Sequence, residues 1–138
     1  MFNPSSDLTV IQKIILADAT ILNLLNLTSA TPLEKTKKII RESKWNDLAG
    51  SERRLCFYFI PSRKTRNESF NSEVVEFDCH VPAGYGFYAY QVQEQIYKLL
   101  HKQKVNNRYL YFEGQLGELP TMPGFFACGS RYTFNRKI

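Results

Sequence analysis

Residues 73–113, EVVEFDCHVPAGYGFYAYQVQEQIYKLLHKQKVNNRYLYFE, carry the clearest structural pattern of the chain. Apolar and polar residues alternate over 73–81, which indicates a strand with one core face and one solvent face. The predicted core-facing residues are Val75, Phe77, Cys79 and Val81, and the predicted solvent-facing residues are Glu76, Asp78 and His80. PAGYG then breaks the strand, and apolar residues at helical spacing predict a helix over 85–102. A second strand follows over 109–113.

The apolar stripe of the predicted helix is expected to pack against a sheet. It consists of Tyr85, Ala89, Val92, Ile96, Leu99 and Leu100. Two more strands are predicted on either side of the segment, over 55–60 and 125–134, while GQLGELPTMPG between the last two strands predicts a long turn.

The N-terminal third of the chain predicts helices. Apolar residues at helical spacing begin at Leu8, and Asp18 interrupts them and caps a short continuation. A second helix is predicted from a capping box, with Thr31 at the N-cap, Pro32 at the first position and Glu34 at the third. The predicted apolar stripe of this second helix contains Leu33, Thr36 and Ile40.

These elements predict an α+β fold in a single domain that spans residues 1–138. The order is α-α-β-β-α-β-β, and the connections within each pair of strands contain no helix. A doubly wound parallel sheet needs a crossover after each strand, so we expect a four-stranded, mainly antiparallel sheet instead. One long helix would cover it, together with the N-terminal helices.

Composition narrows the functional classes. The net charge of +5 permits contacts with anions without implying them. The apolar run near the N-terminus is broken by Lys13 and Asp18, so no membrane span is expected. MFNPSSD lacks the features of a secretion signal, and three single cysteines, Cys56, Cys79 and Cys128, fit reduced thiols in an intracellular product.

Catalytic and metal-binding patterns are not found in the sequence. His80 and His101 are interpreted as surface residues, and no Cys or His pair has the spacing of a zinc site. Glu76 and Asp78 would lie about 7 Å apart on one strand face, which we interpret as ordinary solvent-facing charge. The sequence therefore predicts no enzyme, no catalytic residue, no cofactor and no metal.

A polar arm, residues 62–72, separates the first two predicted strands. A hairpin needs only two to five residues at its tip, so this arm is longer than strand connection requires. We predict that it binds a partner through Arg63, Lys64, Arg66, Asn67 and Phe70. A surface loop without a partner is the alternative.

Basic residues near aromatic residues indicate a second possible function, that of a small nucleic-acid-binding module. The basic residues concerned are Arg53, Arg54, Arg63, Lys64 and Arg66, and the aromatic residues are Tyr58, Tyr109, Tyr111 and Tyr132. The aromatic residues alternate with apolar ones in predicted strands, which favours packing roles for many of them. The module therefore ranks second.

The chain resembles the tail-terminator, or tail-completion, proteins of long-tailed bacteriophages. The resemblance spans nearly the whole chain and rests on IQKIILADATILNLLN, RLCFYFIP, the polar arm, EVVEFDCHVP with the helix YAYQVQEQIYKLLH, and PGFFACGSRYTFNRK. TPLEKTKKIIRESKW is the segment that fits the family least well.

The resemblance implies a structural virion protein of the phage neck, which joins the head to the tail. It implies a homo-oligomeric ring, with six subunits expected, that is assembled in the host cytoplasm. The ring would cap the tail tube protein and meet the head-completion, or connector, protein. Contact between the arm and DNA in the lumen is a further expectation, and no membrane is involved. Open sheet edges give an independent physical reason to expect assembly, since pairing around a ring would satisfy them.

Overall fold

The computed structural model describes residues 4–60 and 73–134. These residues form four helices and six strands. The helices are α1 (Pro4–Leu16), α2 (Ala19–Leu24), α3 (Pro32–Lys38) and α4 (Gly86–Leu100). The strands are β1 (Ile39–Ile40), β2 (Arg54–Ile60), β3 (Val74–Pro82), β4 (Lys104–Val105), β5 (Arg108–Leu119) and β6 (Phe125–Phe134).

All six strands belong to one sheet, in the order β1-β2-β3-β6-β5-β4. Only the β1–β2 pair is parallel. The predicted α+β class is confirmed, but the prediction of four strands is wrong, because β1 and β4 add a strand at each end of the sheet. Each of these strands has two residues, which is too short for alternation to be visible in a sequence. Ile40, predicted on a helical stripe, lies in β1.

Strand β5 is longer than predicted. It continues to Leu119 through most of the segment that was expected to be a turn, and its register against β6 shifts twice, between Phe112 and Gly114 and between Gln115 and Gly117. Gly117 has a φ of 70°, a backbone conformation that glycine adopts at low cost. The glycines that indicated a turn therefore accommodate two β-bulges.

The core lies between the sheet and the helices. Val75, Phe77, Cys79 and Val81 of β3 are fully buried, as predicted. Helix α4 packs against β3 and β6, and α2 packs against α4 and α1. The buried residues of α4 are Ala89, Val92, Gln93, Ile96 and Leu100, whereas Leu99 is half-buried and Tyr85 is 48% exposed. The predicted stripe is therefore correct from Ala89 to Leu100, with Leu99 packed at the half-buried margin of the core, and wrong at Tyr85.

The opposite face of β3 is also buried, which corrects the prediction that it faces solvent. Arg54 donates hydrogen bonds to the carbonyl oxygens of Lys44 and Asn46, at 2.9 and 2.7 Å. These bonds hold the loop that contains Lys44 and Asn46 against the sheet. The far end of β5 also covers this face, since a Cβ atom at Gly129 would lie 2.7 Å from Leu119 and 2.8 Å from Oδ1 of Asp78. Glu76, Asp78 and His80 are consequently buried.

Two predicted helix caps are confirmed. Asp18 accepts a hydrogen bond from the backbone N–H of Ile21, and Thr31 accepts one from that of Glu34. Helix α3, however, has no buried residue, and Leu33 is 66% exposed. The apolar stripe predicted for this helix is therefore wrong. The residues that enter the core follow α3 in the chain and do not belong to it.

Helix α1 is attached to β5 by buried charges. Nη2 of Arg108 lies 2.6 Å from Oδ2 of Asp7, and Nη1 of Arg108 forms an ion pair with Glu73. Asn106 donates a 2.6 Å hydrogen bond to the other carboxylate oxygen of Asp7. The guanidinium of Arg108 also covers the ring of Phe134 at 4.2 Å.

All three cysteines are free and buried. Burial raises the pKa of the Cys56 thiol to about 11 and that of Cys128 to about 12, and it also raises the pKa of Cys79. Cys79 and Cys128 are direct neighbours across β3 and β6. Since the thiolate is the reactive form of cysteine, none of these thiols has the environment of a nucleophile.

Candidate functional site

The residues predicted to bind a partner, Arg63, Lys64, Arg66, Asn67 and Phe70, lie outside the described residues. The two strands that they connect are described. Ile60 at the end of β2 is paired with Val74 at the start of β3. The prediction for this arm therefore continues to rest on the sequence.

A cluster of polar side chains lies between β2, β3 and β6, on the face of the sheet away from α4. The hydroxyl oxygen of Tyr58 lies 2.9 Å from Oε2 of Glu76 and 2.5 Å from Oδ2 of Asp78. Nε of Arg131 donates a 3.0 Å hydrogen bond to Oε1 of Glu76. Oδ1 of Asp78 is buried and has no hydrogen-bond partner among the described residues.

The two carboxyl groups of this cluster differ in pKa. Burial, followed by the hydrogen bond with Glu76, raises the pKa of Asp78 to about 8. Burial also disfavours the charged form of Glu76, but hydrogen bonds with Asp78, Tyr58 and Arg131 outweigh it and hold the pKa of Glu76 below its usual value. At neutral pH the pair therefore retains one proton, on Asp78.

Paired carboxyl groups with separated pKa values can perform general acid–base chemistry. The interpretation of this pair as ordinary solvent-facing charge is therefore wrong. Glu76 and Asp78 are each only 6% exposed, however, and the end of β5 covers Asp78. Neither carboxyl group lines the groove that is described below. The geometry favours a structural role, in which Tyr58 and Arg131 hydrogen-bond to the two buried acids and only Oδ1 of Asp78, among their oxygens in these contacts, is left without a described partner.

The histidines have structural contacts. His80 is buried, contrary to the prediction, with Nδ1 2.8 Å from Oγ1 of Thr121. Burial, followed by the charge of Arg54, lowers the pKa of His80 to about 4. Nδ1 of His101 accepts a hydrogen bond from the backbone N–H of Phe112 at 3.0 Å, which joins the end of α4 to β5.

We expect the stability of the protein to fall as pH rises from 6.5 to about 8. Asp78 is protonated in the folded state and ionised in the unfolded state over this range, so its contribution is lost as pH approaches its raised pKa. The slope should reach about 1.4 kcal/mol per pH unit at most. Below pH 6.5 the lowered pKa of His80 produces the opposite slope, because unfolded His80 takes up a proton there.

Urea unfolding at several pH values within this range measures the effect. Asp78→Asn keeps a donor towards Glu76 and should abolish the slope. His80→Gln is the matched control and should leave the slope unchanged above pH 6.5. An equal slope in wild type and Asp78→Asn would contradict the assignment of the proton to Asp78.

The outward side of α4 carries a second stripe of mostly aromatic residues, which was not predicted from the sequence. Its residues are spaced alternately by three and four positions, and they are Phe87, Tyr90, Glu94, Tyr97 and His101. Phe87 is 71% exposed and Tyr97 is 43% exposed. The spacing is visible in the sequence, but Tyr85 was assigned to the buried stripe, so the exposed stripe was not predicted.

A shallow groove continues this stripe towards β5. Its volume is about 380 Å³, and it is lined by Gln93, Glu94, Tyr97, Lys98, Phe112 and Gln115. The rings of Tyr97 and Phe112 meet edge to face, with centroids 5.3 Å apart. We name the stripe and the groove together the α4–β5 surface.

The sheet edge beside this groove is open. Strand β4 pairs only with Tyr109 and Arg108, so the longer remainder of β5 has no strand on its outer side among residues 4–60 and 73–134. Exposed strand edges are templates for pairing with another chain, although the two bulges of β5 limit which partners fit. The α4–β5 surface is thus bordered by a strand edge that no other described strand pairs, although Leu110 and Phe112 bond to the segment that follows α4.

A second exposed surface lies at the β1 end of the sheet. Leu33 of α3 is 66% exposed, and Trp45 in the loop after β1 is 57% exposed. Lysines and an arginine surround them: Lys35, Lys37, Lys38, Arg41 and Lys44. Burial, followed by the charges of Arg54 and Lys37, lowers the pKa of Lys38. Glu34, Glu42 and Asp47 lie in the same segment, so the basic residues outnumber the acidic ones by five to three. We name these residues the α3 surface.

Comparisons with known proteins do not identify the chain. No protein-family model matches it, and no curated protein matches it significantly. Within the described ranges, no helix combines the length and the apolar character that crossing a membrane requires. In the same ranges, no three His, Cys, Asp or Glu side chains are arranged to hold a metal ion.

Proposed function

We propose that the protein is a structural component of the neck of a long-tailed bacteriophage, where copies form a ring that caps the tail tube and joins the tail to the head connector. The observation that carries this proposal is the α4–β5 surface. Within the described residues, Phe87, Tyr90 and Tyr97 of the longest helix form an exposed aromatic stripe that Glu94 interrupts, beside an open strand edge. Such surfaces are typical of proteins that function in assemblies.

Burial of the exposed aromatic residues of α4 against another protein would be favourable in free energy. Full burial of a large apolar side chain contributes about 1.5–3 kcal/mol, and Phe87, Tyr90 and Tyr97 each retain more than a third of their exposure. Their burial against another protein would therefore offset much of the entropy that association costs. A single copy gains none of this.

The resemblance to tail-terminator proteins supports the choice of this particular assembly. It supplies the homo-oligomeric ring with six expected subunits, the tail tube protein on one side and the connector on the other. The location that follows is the virion, after assembly in the host cytoplasm. No catalytic activity belongs to the proposal.

The mass of the particle tests the proposal. Sedimentation of the purified protein, alone and with purified tail tubes, should show a closed oligomer, and tails should contain a fixed small number of copies. The second candidate, a nucleic-acid module, draws support from Arg53, whose guanidinium lies 4.8 Å from the ring centre of Tyr88 and 5.3 Å from that of Tyr85. A monomer that binds single-stranded oligonucleotides, with affinity falling steeply as salt rises, would favour that candidate.

Replacement of Arg63, Lys64 and Arg66 by Ser is expected to prevent the joining of heads to tails. In the proposed ring these residues contact acidic groups of the tube or connector, or DNA phosphates in the lumen. The free energy of unfolding should change by less than about 1 kcal/mol, since exposed charges contribute little to stability. Complementation of a phage that lacks the gene, with electron microscopy of the particles, measures the effect.

Replacement of Lys13, Lys102 and Lys104 by Ser is the control for the loss of three positive charges, because these exposed lysines belong to neither the arm nor the two named surfaces. Normal numbers of infectious, tailed particles from the arm variant would refute this part of the proposal. If joining survives but DNA ejection slows, the arm contacts DNA in the lumen and not the tube.

A further inference from the structure

We infer that the α4–β5 surface of each copy receives the α3 surface of the next copy, with Trp45 seated in the groove. This inference rests on the proposed ring and specifies which parts of two subunits meet. It assigns an interface to residues that neither the core nor the polar cluster uses. The occupant of the groove is therefore a second copy of this chain.

The placement of the two surfaces favours a head-to-tail contact. Strands β1 and β5 are separated in the sheet by β2, β3 and β6. On its other side α4 faces α2, where Gln95 reaches the carboxylate of Asp18 at 3.3 Å. Each copy thus presents two different surfaces, one at the β1 end of the sheet and one beside β5. Different surfaces that meet from copy to copy generate rings when the rotation closes.

The chemistry of the two surfaces is complementary. The groove has aromatic walls, Tyr97 and Phe112, with Glu94 in its lining, and Glu118 follows further along β5. Lys98 is the positive charge in the groove. The α3 surface offers the exposed indole of Trp45 in a segment where five basic residues stand against Glu34, Glu42 and Asp47. Tryptophan is among the residues that most often dominate interface energetics, so Trp45 is the expected anchor.

Helix α3 supplies an independent reason for this assignment. It has seven residues and buries none of them, whereas a short helix in water is only marginally stable without packing. Its caps at Thr31 satisfy backbone groups but cover no apolar surface. Contact with a neighbouring α4–β5 surface would bury Leu33 and stabilise this helix.

A mixing experiment tests the inference. Tyr97→Ser removes a wall of the groove, and Trp45→Ser removes the anchor. Each variant alone is expected to self-associate at least about 30-fold more weakly than wild type, which is the effect of losing one interface hot spot. An equimolar mixture should form a heterodimer and stop there, because one intact interface remains and both free ends are defective.

Three further variants make the result interpretable. Phe87→Ser changes the stripe without touching the contacts of Tyr97 with Phe112 and His101, so it replaces Tyr97→Ser if that variant unfolds. Tyr109→Ser removes a similarly exposed tyrosine, 42% exposed, outside both surfaces and should leave the ring intact. Glu94→Lys combined with Lys37→Glu should associate more strongly than either single variant.

The outcomes separate the interface from the ring. Wild-type rings together with heterodimers from the mixture support the inference. Wild-type rings that persist in Tyr97→Ser and Trp45→Ser, or a mixture that remains monomeric, overturn the interface and leave the ring standing. A wild-type protein that forms no oligomer, alone or on tail tubes, overturns the proposed function and this inference together.

Discussion

Arg108→Met is expected to lower the free energy of unfolding by about 3–5 kcal/mol, because it leaves two buried carboxylates without their cation. The side chain of Asp7 is 3% exposed and that of Glu73 is 6% exposed, and both are ion-paired with Arg108. The substitution also removes the guanidinium from the ring of Phe134. Since Asp7 belongs to α1, loss of this contact should loosen the N-terminal helix first.

Urea unfolding measured by circular dichroism gives the free energy, and hydrogen exchange in α1 reports the local effect. Lys38→Met is the matched control, because the Lys38–Glu52 ion pair retains about a quarter of its exposure on both sides. This control should cost at most about 1 kcal/mol. Similar losses in the two variants would mean that the Arg108 contacts do not hold α1 in place.

Leu100→Ala is expected to cost about 2–5 kcal/mol, whereas the adjacent Leu99→Ala should cost clearly less. Leu100 is fully buried in the core, while Leu99 is half-buried at its margin. Deletion of a fully buried side chain leaves a cavity that the surrounding residues fill only in part, and a marginal position gives access to solvent instead. The two variants differ only in position, so each is the other's control.

Thermal or urea unfolding of both variants tests this order. It also tests which side of α4 faces the sheet, since the sequence alone placed Leu99 and Leu100 on the same buried stripe. Equal losses, or a larger loss for Leu99→Ala, would show that the helix is rotated about its axis relative to the structure described above.

The long elements could be predicted from the sequence because periodicity is a local signal. The alternation over β3 and the helical spacing over α4 each repeat several times, and both elements were placed within a few residues of their observed bounds. The two-residue strands could not be found in this way. Strand β1 exists because α3 ends where Ile39 can pair with Leu55, a contact between residues far apart in the chain. Strand β4 instead pairs with Arg108 and Tyr109, a few positions later, and is too short to show a pattern.

The buried polar face of β3 was also beyond sequence reasoning. Alternating charge at Glu76 and Asp78 is typical of a solvent-facing strand side, and nothing local indicates that Arg54 fastens a loop over it. The α4–β5 surface was within reach, since the spacing from Phe87 to His101 is regular. Its exposure depends on the absence of a covering helix over β5 in the described residues, which is a property of topology.

The inert native thiols have a practical consequence for following assembly in real time. Thiolates are the nucleophiles that attack maleimide reagents, and the burial of Cys56, Cys79 and Cys128, with their raised pKa values, disfavours the thiolate form at neutral pH. A cysteine introduced at an exposed position outside both surfaces, such as Tyr109 or Lys13, can therefore be labelled with a fluorophore while the native cysteines stay in place. Donor and acceptor dyes on separate copies would then report when and in what order subunits join.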